Sequence, residues 1–423
     1  MRRGLGTLSG RSRQAPTEPT SVALLAVAAV AAVLADASPA FAAERTSAPA
    51  TAGTAAVVID ARDGRVLTSE GPDERHQIAS TTKLMTALLT IERADPRDVF
   101  RAVDYDALPA ESRIDLRPGE RMRVRDLLTA LMLESANDAS ATLAERVGGS
   151  RPAFVRSMNA RARELGLSNT SYANPIGLDD PDNYSSARDL AALARRLMSD
   201  RSFRALVDRP SATLRSGARP RTLDNRNRLV RRVPFVDGVK TGHTGRAGYV
   251  LVGSAARRGA QVISVVLGEP SEAARDSDSL ALLRWGIDQF RRVTAVREGR
   301  TLARPAVADY DGRRVRLEAA KSVVLTVPRG ERLATRVRAP SELTGPLPRG
   351  RRVGTAMVLA RGRPIRRVAL VTAEAVPEAG LIRRIGSRVS LPALGASSLV
   401  ALAAIILVRR RRGGRRPRAS AAR

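Results

Sequence analysis

The feature that most constrains the fold is a change of hydrophobic period along the chain. AAVVIDARDGRVLTSE, Ala55 to Glu70, reads as two short strands joined by a turn at Asp63-Gly64. From Ser80 the period becomes helical. In STTKLMTALLTIERA, Leu84, Leu88 and Ile91 recur at helical spacing, and Met85 and Leu89 widen the face. RVRDLLTALMLES, ending at Ser135, then NDASATLAERVGG and RPAFVRSMNARARELGL continue the helical block. SSARDLAALARRLMSD follows, with Ser185 or Ser186 as N-cap. After Lys240 strands return: AGYVLVGSAARRG and AQVISVVLG read as a hairpin of two well-buried strands. SDSLALLRWGIDQFRRV closes the unit as a helix. Strands at both ends of a helical block predict an α/β domain over residues 54–295, a sheet with helices on its face and a helical insertion.

Residues 296–382 differ. VVLTVPRG, LATRVRA and VGTAMVLARGRPIRRVALVTA are short alternating strands separated by Pro/Gly turns. They predict a small β-rich domain with no candidate chemistry, expected to hold the first domain away from a membrane. The membrane is inferred from the two ends. Arg2, Arg3, Arg11 and Arg13 precede the apolar run Val22 to Ala35, and AFA at Ala40–Ala42 offers small residues, so 1–43 has the layout of a secretory signal peptide. Residues 44–53 are small and polar and read as a linker. Residues 391–408 are 18 residues without a charge, about the minimum for a transmembrane helix. Arginines crowd 409–423, which places that tail on the cytoplasmic side.

Charge and composition narrow the function. The net charge is +30, of which about +20 belongs to residues 44–390, so anionic polymers or headgroups are attracted. Aromatic residues make up only 3%, too few for a stacking platform, and no nucleic-acid motif is visible, so no nucleic-acid partner is expected. With no cysteine and two histidines, His76 and His243, neither a thiolate nor a His-based metal centre is expected, and no cofactor is implied.

Lysine is rare: among 72 basic residues it occurs only as Lys83, Lys240 and Lys321. Two of the three fall in short motifs. Ser80-Thr81-Thr82-Lys83, Ser135-Ala136-Asn137 and Lys240-Thr241-Gly242 occur in this order, with Ser135 lying 55 residues and Lys240 160 residues after Ser80. Each alone is weak; together on these elements they are specific. Positions i and i+3 of a helix share a face, so Ser80 and Lys83 present a hydroxyl and an amine side by side. A serine needs a neighbouring base to become a nucleophile. Lysine can serve as that base when burial or a second cation lowers its pKa; arginine effectively cannot lose its proton. Lys240 is placed to be the second cation. Ser135 and Asn137 follow a helix, on a turn that can point both side chains into a cleft. Gly242 lets a ligand approach the strand backbone.

This motif set resembles that of the penicillin-recognising serine enzymes. IASTTKLMTAL, ESANDASATLAE, NPIGLDDPDNYSSARDLA, DNRNRL and VDGVKTGHTGRAGYVLVGSA, together with IDARDGRVL, are similar to the D-alanyl-D-alanine carboxypeptidase family of low-molecular-mass penicillin-binding proteins. The resemblance is close over about 54–295 and looser over the β domain. It implies an α/β catalytic domain of the β-lactamase/DD-peptidase type, a small β-rich domain and a C-terminal transmembrane helix. It implies Ser80 as nucleophile, Lys83 as base and Ser135 as proton relay. Asn137 would hold the substrate amide, and Lys240 and Thr241 its terminal carboxylate. Backbone N–H groups of Ser80 and His243 would form the oxyanion hole. The implied substrate is a peptidoglycan stem peptide, with β-lactams as inhibitors. Asp60, Gly177 and Asp189 match the family but read as structural, and His76 has no evident role. A β-lactamase of the kind that uses a glutamate to activate water is disfavoured, since only Glu145 and Glu164 lie between Asn137 and Lys240, both on helices. A transpeptidase or endopeptidase on the same scaffold, and a non-catalytic wall-binding module, are the other readings.

Overall fold

The structure, a computed structural model, describes residues 47–380, 383–384 and 404–407. The expected signal peptide (1–43) and basic tail (409–423) lie outside the described residues, as does all of the expected span 391–408 except residues 404–407. Among the described residues no helix is long and apolar enough to cross a membrane.

The chain's early and late strands meet in one antiparallel sheet. Its order is Val66–Glu70, Ala55–Asp60, Ala260–Glu269, Gly248–Arg257, Val236–Thr244. Ala55 stands opposite Leu267, so the sheet is closed by pairing across the whole helical block. All six residues of Ala55–Asp60 are buried. A strand covered on both faces has no polar side to show, which is why Ala55–Ile59 is continuously apolar, while the buried Asp60 at its end is paired with Arg62. Val57, Ile59, Val250, Val252, Ile263 and Val265 pack toward the helical block. Val58, Leu251, Val262 and Val266 point the other way and pack with Leu282, Leu283 and Ile287 of the helix Glu272–Asp288. Each such aliphatic side chain contributes about 1.5–3 kcal/mol by leaving water.

The helix Lys83–Arg93 runs through the middle of the helical block, and Lys83 through Thr90 are all buried. It does not begin at Ser80 as an α-helix. Ala79–Thr82 form a 3₁₀ turn that leads into it. The second departure from the sequence reading is in the helix before Ser135. The helix starting at Val124 widens to π-helical over Ala130–Glu134, and Ser135 then ends it in the left-handed conformation, with φ of 64°. Asn137 opens the next helix, Asn137–Gly148.

The strand Phe290–Val296 pairs with Val323–Pro328 and leads into the β-rich part. There a five-stranded sheet runs Thr301–Ala303, Leu317–Ala319, Arg363–Thr372, Arg352–Ala360, Leu333–Arg338. Leu317, Ala356, Val358, Val368 and Leu370 form its core. Polar contacts tie it to the first part. The Arg62 guanidinium donates to the Thr326 carbonyl at 2.8 Å and lies 4.9 Å over the Phe290 ring. Thr326 Oγ1 donates to the Arg258 carbonyl at 2.5 Å.

Candidate active site

A cleft of about 470 Å³ opens between the helical block and the sheet edge, lined by Ser80, Ser135, Thr241, Gly242 and His243, with Arg226, Tyr249 and Arg275 on its walls. Three distant segments therefore converge. Ser80 is half-buried at the mouth of the 3₁₀ turn, and Lys83 beneath it has no exposed surface. Lys83 Nζ lies 3.0 Å from Ser80 Oγ and donates to the Ile176 carbonyl at 2.6 Å. Burial pushes the Lys83 pKa down to about 7; the Arg226 cation adds to this, while the Glu111 and Asp138 carboxylates oppose it.

The loop carrying Ile176 fixes this geometry. Asn174 Oδ1 accepts the N–H groups of Ile176, Gly177 and Leu178, curling the loop. Thr86 and Ser140 hydroxyls both donate to the Pro175 carbonyl at 2.7 Å, stapling it to two helices. Gly177 has φ of 96°, and a Cβ there would lie 2.0 Å from the Ala79 carbonyl oxygen. Only glycine fits that close approach. Ala79 itself takes a positive φ of 46°, so the turn presenting Ser80 is held against strain by its surroundings.

Lys240 sits mid-strand, almost wholly buried, and donates to its neighbour Thr241's carbonyl at 2.9 Å. Its pKa is held well below the ordinary lysine value, first by burial and then by the cations of Lys83, Arg226 and Arg275. At Gly242 a Cβ would meet Ala79 Cβ, the Ile78 carbonyl and the Ser80 nitrogen, all at 3.1 Å. That glycine brings the strand edge against the Ser80 backbone. The His243 ring is exposed and stacks on Tyr249 with centroids 4.0 Å apart.

Ser135 Oγ and Asn137 Oδ1 are buried and have no hydrogen-bond partner among the described residues. Asn137 Nδ2 donates to Glu111 Oε2 at 2.6 Å, and Glu111 also accepts from the Tyr105 hydroxyl and the Leu108 N–H. Burial works against this carboxylate, but those hydrogen bonds and Lys83 outweigh it and hold its pKa low. Across the cleft Arg226 donates through Nε and a terminal nitrogen to Glu134 at 3.0 and 2.5 Å. Glu111, Arg226 and the Ile176 carbonyl are site groups the motifs did not single out. Arg226 lies in DNRNRL, but nothing in its spacing links it to Ser80. Asp60 and Asp189 are tied up in structural contacts, with Arg62 and with Thr170 and Asn169 respectively. His76 lies 3.4 Å from the Thr54 hydroxyl, away from the cleft lining. A separate cavity of about 380 Å³, lined by Ile91, Leu128, Phe203 and Leu206 among others, contains no motif residue.

A serine and a buried lysine paired at the start of a helix, opposed by a Lys-Thr-Gly strand edge, define an acyl-transferring serine enzyme of the penicillin-recognising class. Residues 42–271 match the family described as D-alanyl-D-alanine carboxypeptidase, and residues 290–378 match the C-terminal domain of penicillin-binding protein 5. The chain belongs to the D-alanyl-D-alanine carboxypeptidase family. It is 32% identical to D-alanyl-D-alanine carboxypeptidase DacF of Bacillus subtilis, over 80% of this chain and 90% of that one. It is 35% identical to DacC of Escherichia coli, over 82% and 90%. Penicillin-binding protein 5 of Haemophilus influenzae superposes with a TM-score of 0.56 at 31% identity, covering 78% of this chain and 99% of that one. A Streptomyces K15 DD-transpeptidase superposes at 0.55 and 31% identity, over 57% of this chain and 99% of that one.

Proposed function

We propose that the protein removes the terminal D-alanine from peptidoglycan stem peptides through an ester on Ser80, acting in cell-wall biogenesis and in the control of cell shape. The observation that carries this is Lys83, wholly buried with its amine 3.0 Å from Ser80 Oγ. A neutral Lys83 takes the hydroxyl proton as Ser80 Oγ attacks the carbonyl carbon of the penultimate D-alanine. The N–H groups of Ser80 and His243 bind the oxyanion, a contact worth about 3 kcal/mol per donor. The tetrahedral intermediate collapses, the peptide C–N bond breaks, and Ser135 passes a proton to the departing amine. Water then attacks the ester, and the shortened peptide leaves with Ser80 Oγ reprotonated. Asn137 holds the substrate amide. Lys240 and Thr241 take the terminal carboxylate, and Gly242 allows that approach. Arg226 and Arg275 on the cleft walls favour an anionic substrate end.

β-Lactams are the expected inhibitors, since they present the same acyl donor and leave Ser80 acylated. The likeness to a DD-transpeptidase supports a second reading in which an amine replaces water as acceptor. We further propose that 1–43 directs export and that 391–408 anchors the chain, with the enzyme outside the cytoplasm. The β-rich domain, 296–382 with the catalytic domain ending near 295, would be the spacer.

The test is D-alanine release from a stem-peptide mimic by the full chain. Release by wild type and none by Ser80→Ala supports the assignment; full activity in the variant overturns it. Adding an amine acceptor separates the readings: a new peptide product in place of hydrolysis favours the transpeptidase.

A further inference from the structure

The β-rich domain carries a feature that the reaction does not use. Leu333–Arg338, Arg352–Ala360 and Arg363–Thr372 are adjacent antiparallel strands. Residues opposite one another in such a pair share a face, and faces alternate along each strand. Ala356, Val358, Val368 and Leu370 are buried on one face. The other face therefore holds Arg336, Met357 and Arg367 in one row and Arg338, Thr355 and Ala369 in the next. Arg352, opposite Val371, extends it. The four arginines are exposed.

Among the described residues none of the four is paired with a carboxylate. The domain's acids in ion pairs are engaged by other arginines: Glu318 by Arg316, Glu331 by Arg361 and Glu378 by Arg384. Two adjoining concavities of about 500 and 470 Å³ share Arg352, Arg367 and Ala369. Lys321 and the exposed Val324 line the larger, Arg338 and Thr355 the smaller. An arginine-rich composition explains how many arginines there are. It does not explain their gathering on one sheet face, where Arg338, Arg352 and Arg367 line one concavity and like charges repel. A partner of opposite charge removes that cost.

The chain itself indicates which partner. From Thr372 only 19 residues lead to Leu391, the start of the uncharged segment 391–408. Fully extended they reach at most about 65 Å. On the anchoring reading given above, the face is thus held near phospholipid headgroups at high effective concentration. Guanidinium groups bind phosphate in a bidentate manner, and an exposed Val324 among them suits the headgroup boundary. We propose that this face docks on anionic phospholipid headgroups beside the C-terminal segment and so sets how the enzyme stands over the bilayer.

The chain has no cysteine, so Thr355→Cys gives a single labelling site. The full chain, with a fluorophore at 355, is mixed with vesicles carrying a headgroup-attached quencher. The vesicles are phosphatidylcholine alone or with about a third phosphatidylglycerol, enough for a negative surface potential. Quenching at least about threefold greater on the anionic vesicles, lost at about 0.5 M salt, is expected. It should also be lost when R336E, R338E, R352E and R367E are combined, with D-alanine release from a soluble peptide unchanged. Equal quenching on both vesicle types, or quenching that survives charge reversal, overturns the proposal. So does a signal produced by soluble poly(glycerol phosphate) and not by vesicles, which would assign the face to a wall polymer. Flotation with neutral vesicles reads the anchor separately. If flotation fails while anionic vesicles still bind and quench, the docking face stands and the anchor falls. If neither occurs, both fall.

Discussion

In the proposed mechanism Lys83 serves as base because it is a lysine where an arginine would keep its proton. Its neutral form is the one that can accept from Ser80, and with a pKa of about 7 that form grows as pH rises through 7. The acidic limb of kcat/KM is therefore expected near pH 7. Arg226 lowers this pKa and Glu111 raises it. Arg226→Ala should move the limb to higher pH and Glu111→Gln to lower pH; a pH profile of D-alanine release reads both, and shifts of the opposite sign would refute the electrostatic account. Lys83→Arg keeps the charge yet should lose about 10²–10⁴-fold in kcat/KM. At this scale the motif residues were legible because their chemistry is carried by residue type and local spacing. Glu111, Arg226 and the Ile176 carbonyl were not. They reach the site through tertiary folding, and an acid, a further arginine among 69 and a backbone oxygen carry no local mark.

The elements around the site are bent where they present a functional group. Ser80 stands on a 3₁₀ turn and Ser135 on a left-handed residue after a π turn. Sequence periodicity placed Ser80 on an ordinary helix and Ser135 on the turn after another, because a tightened first turn or a widened last one leaves the apolar spacing nearly unchanged. The Gly177 contact says what holds the first of these. Gly177→Ala puts a methyl about 2.0 Å from the Ala79 carbonyl, so the turn must move. A fall in kcat/KM of about 10²-fold is expected, the size of a small misplacement of a reacting group such as that proposed for Ser80. Gly299→Ala, also at positive φ but with open space around it, is the control for strain alone and should leave activity intact. Nearby, Arg221 pairs with Glu120 at 2.8 Å with both side chains buried. Burial raises the Glu120 pKa, but Arg221 and the Ala218 and Arg117 N–H groups outweigh it and bring it to about 2. A carboxyl with a depressed folded-state pKa stabilises above its unfolded value of 4.5, and that stability is lost as pH falls through 2. Arg221→Met alone should cost about 3–5 kcal/mol in urea unfolding. The pair Glu120→Gln/Arg221→Met should instead flatten the dependence of the urea midpoint on pH between about 4.5 and 2.

On the scale of the whole molecule, a reactive α/β part and a β-rich part meet through a few named contacts. Their succession was readable because period-two and helical patterns occupy separate stretches of chain. The register of the β-rich sheet was not, since short strands with many arginines do not declare which face is inward until they pair. That register is what gathers Arg336, Arg338, Arg352 and Arg367. Arg62 bridges the two parts through the Thr326 carbonyl. Arg62→Ala should leave turnover of a soluble peptide within about twofold, while limited proteolysis between the two parts quickens as their junction loosens. A matching fall in turnover would mean that the β-rich part supports the cleft. In the proposed mechanism catalysis turns on one oxygen, Ser80 Oγ, activated by one buried amine. Intact-mass and peptide mass spectrometry after incubation with penicillin tests it most directly. A single long-lived adduct on Ser80, absent from Ser80→Ala, is the predicted result; an adduct that maps elsewhere, survives in Ser80→Ala, or turns over rapidly to free enzyme would contradict it.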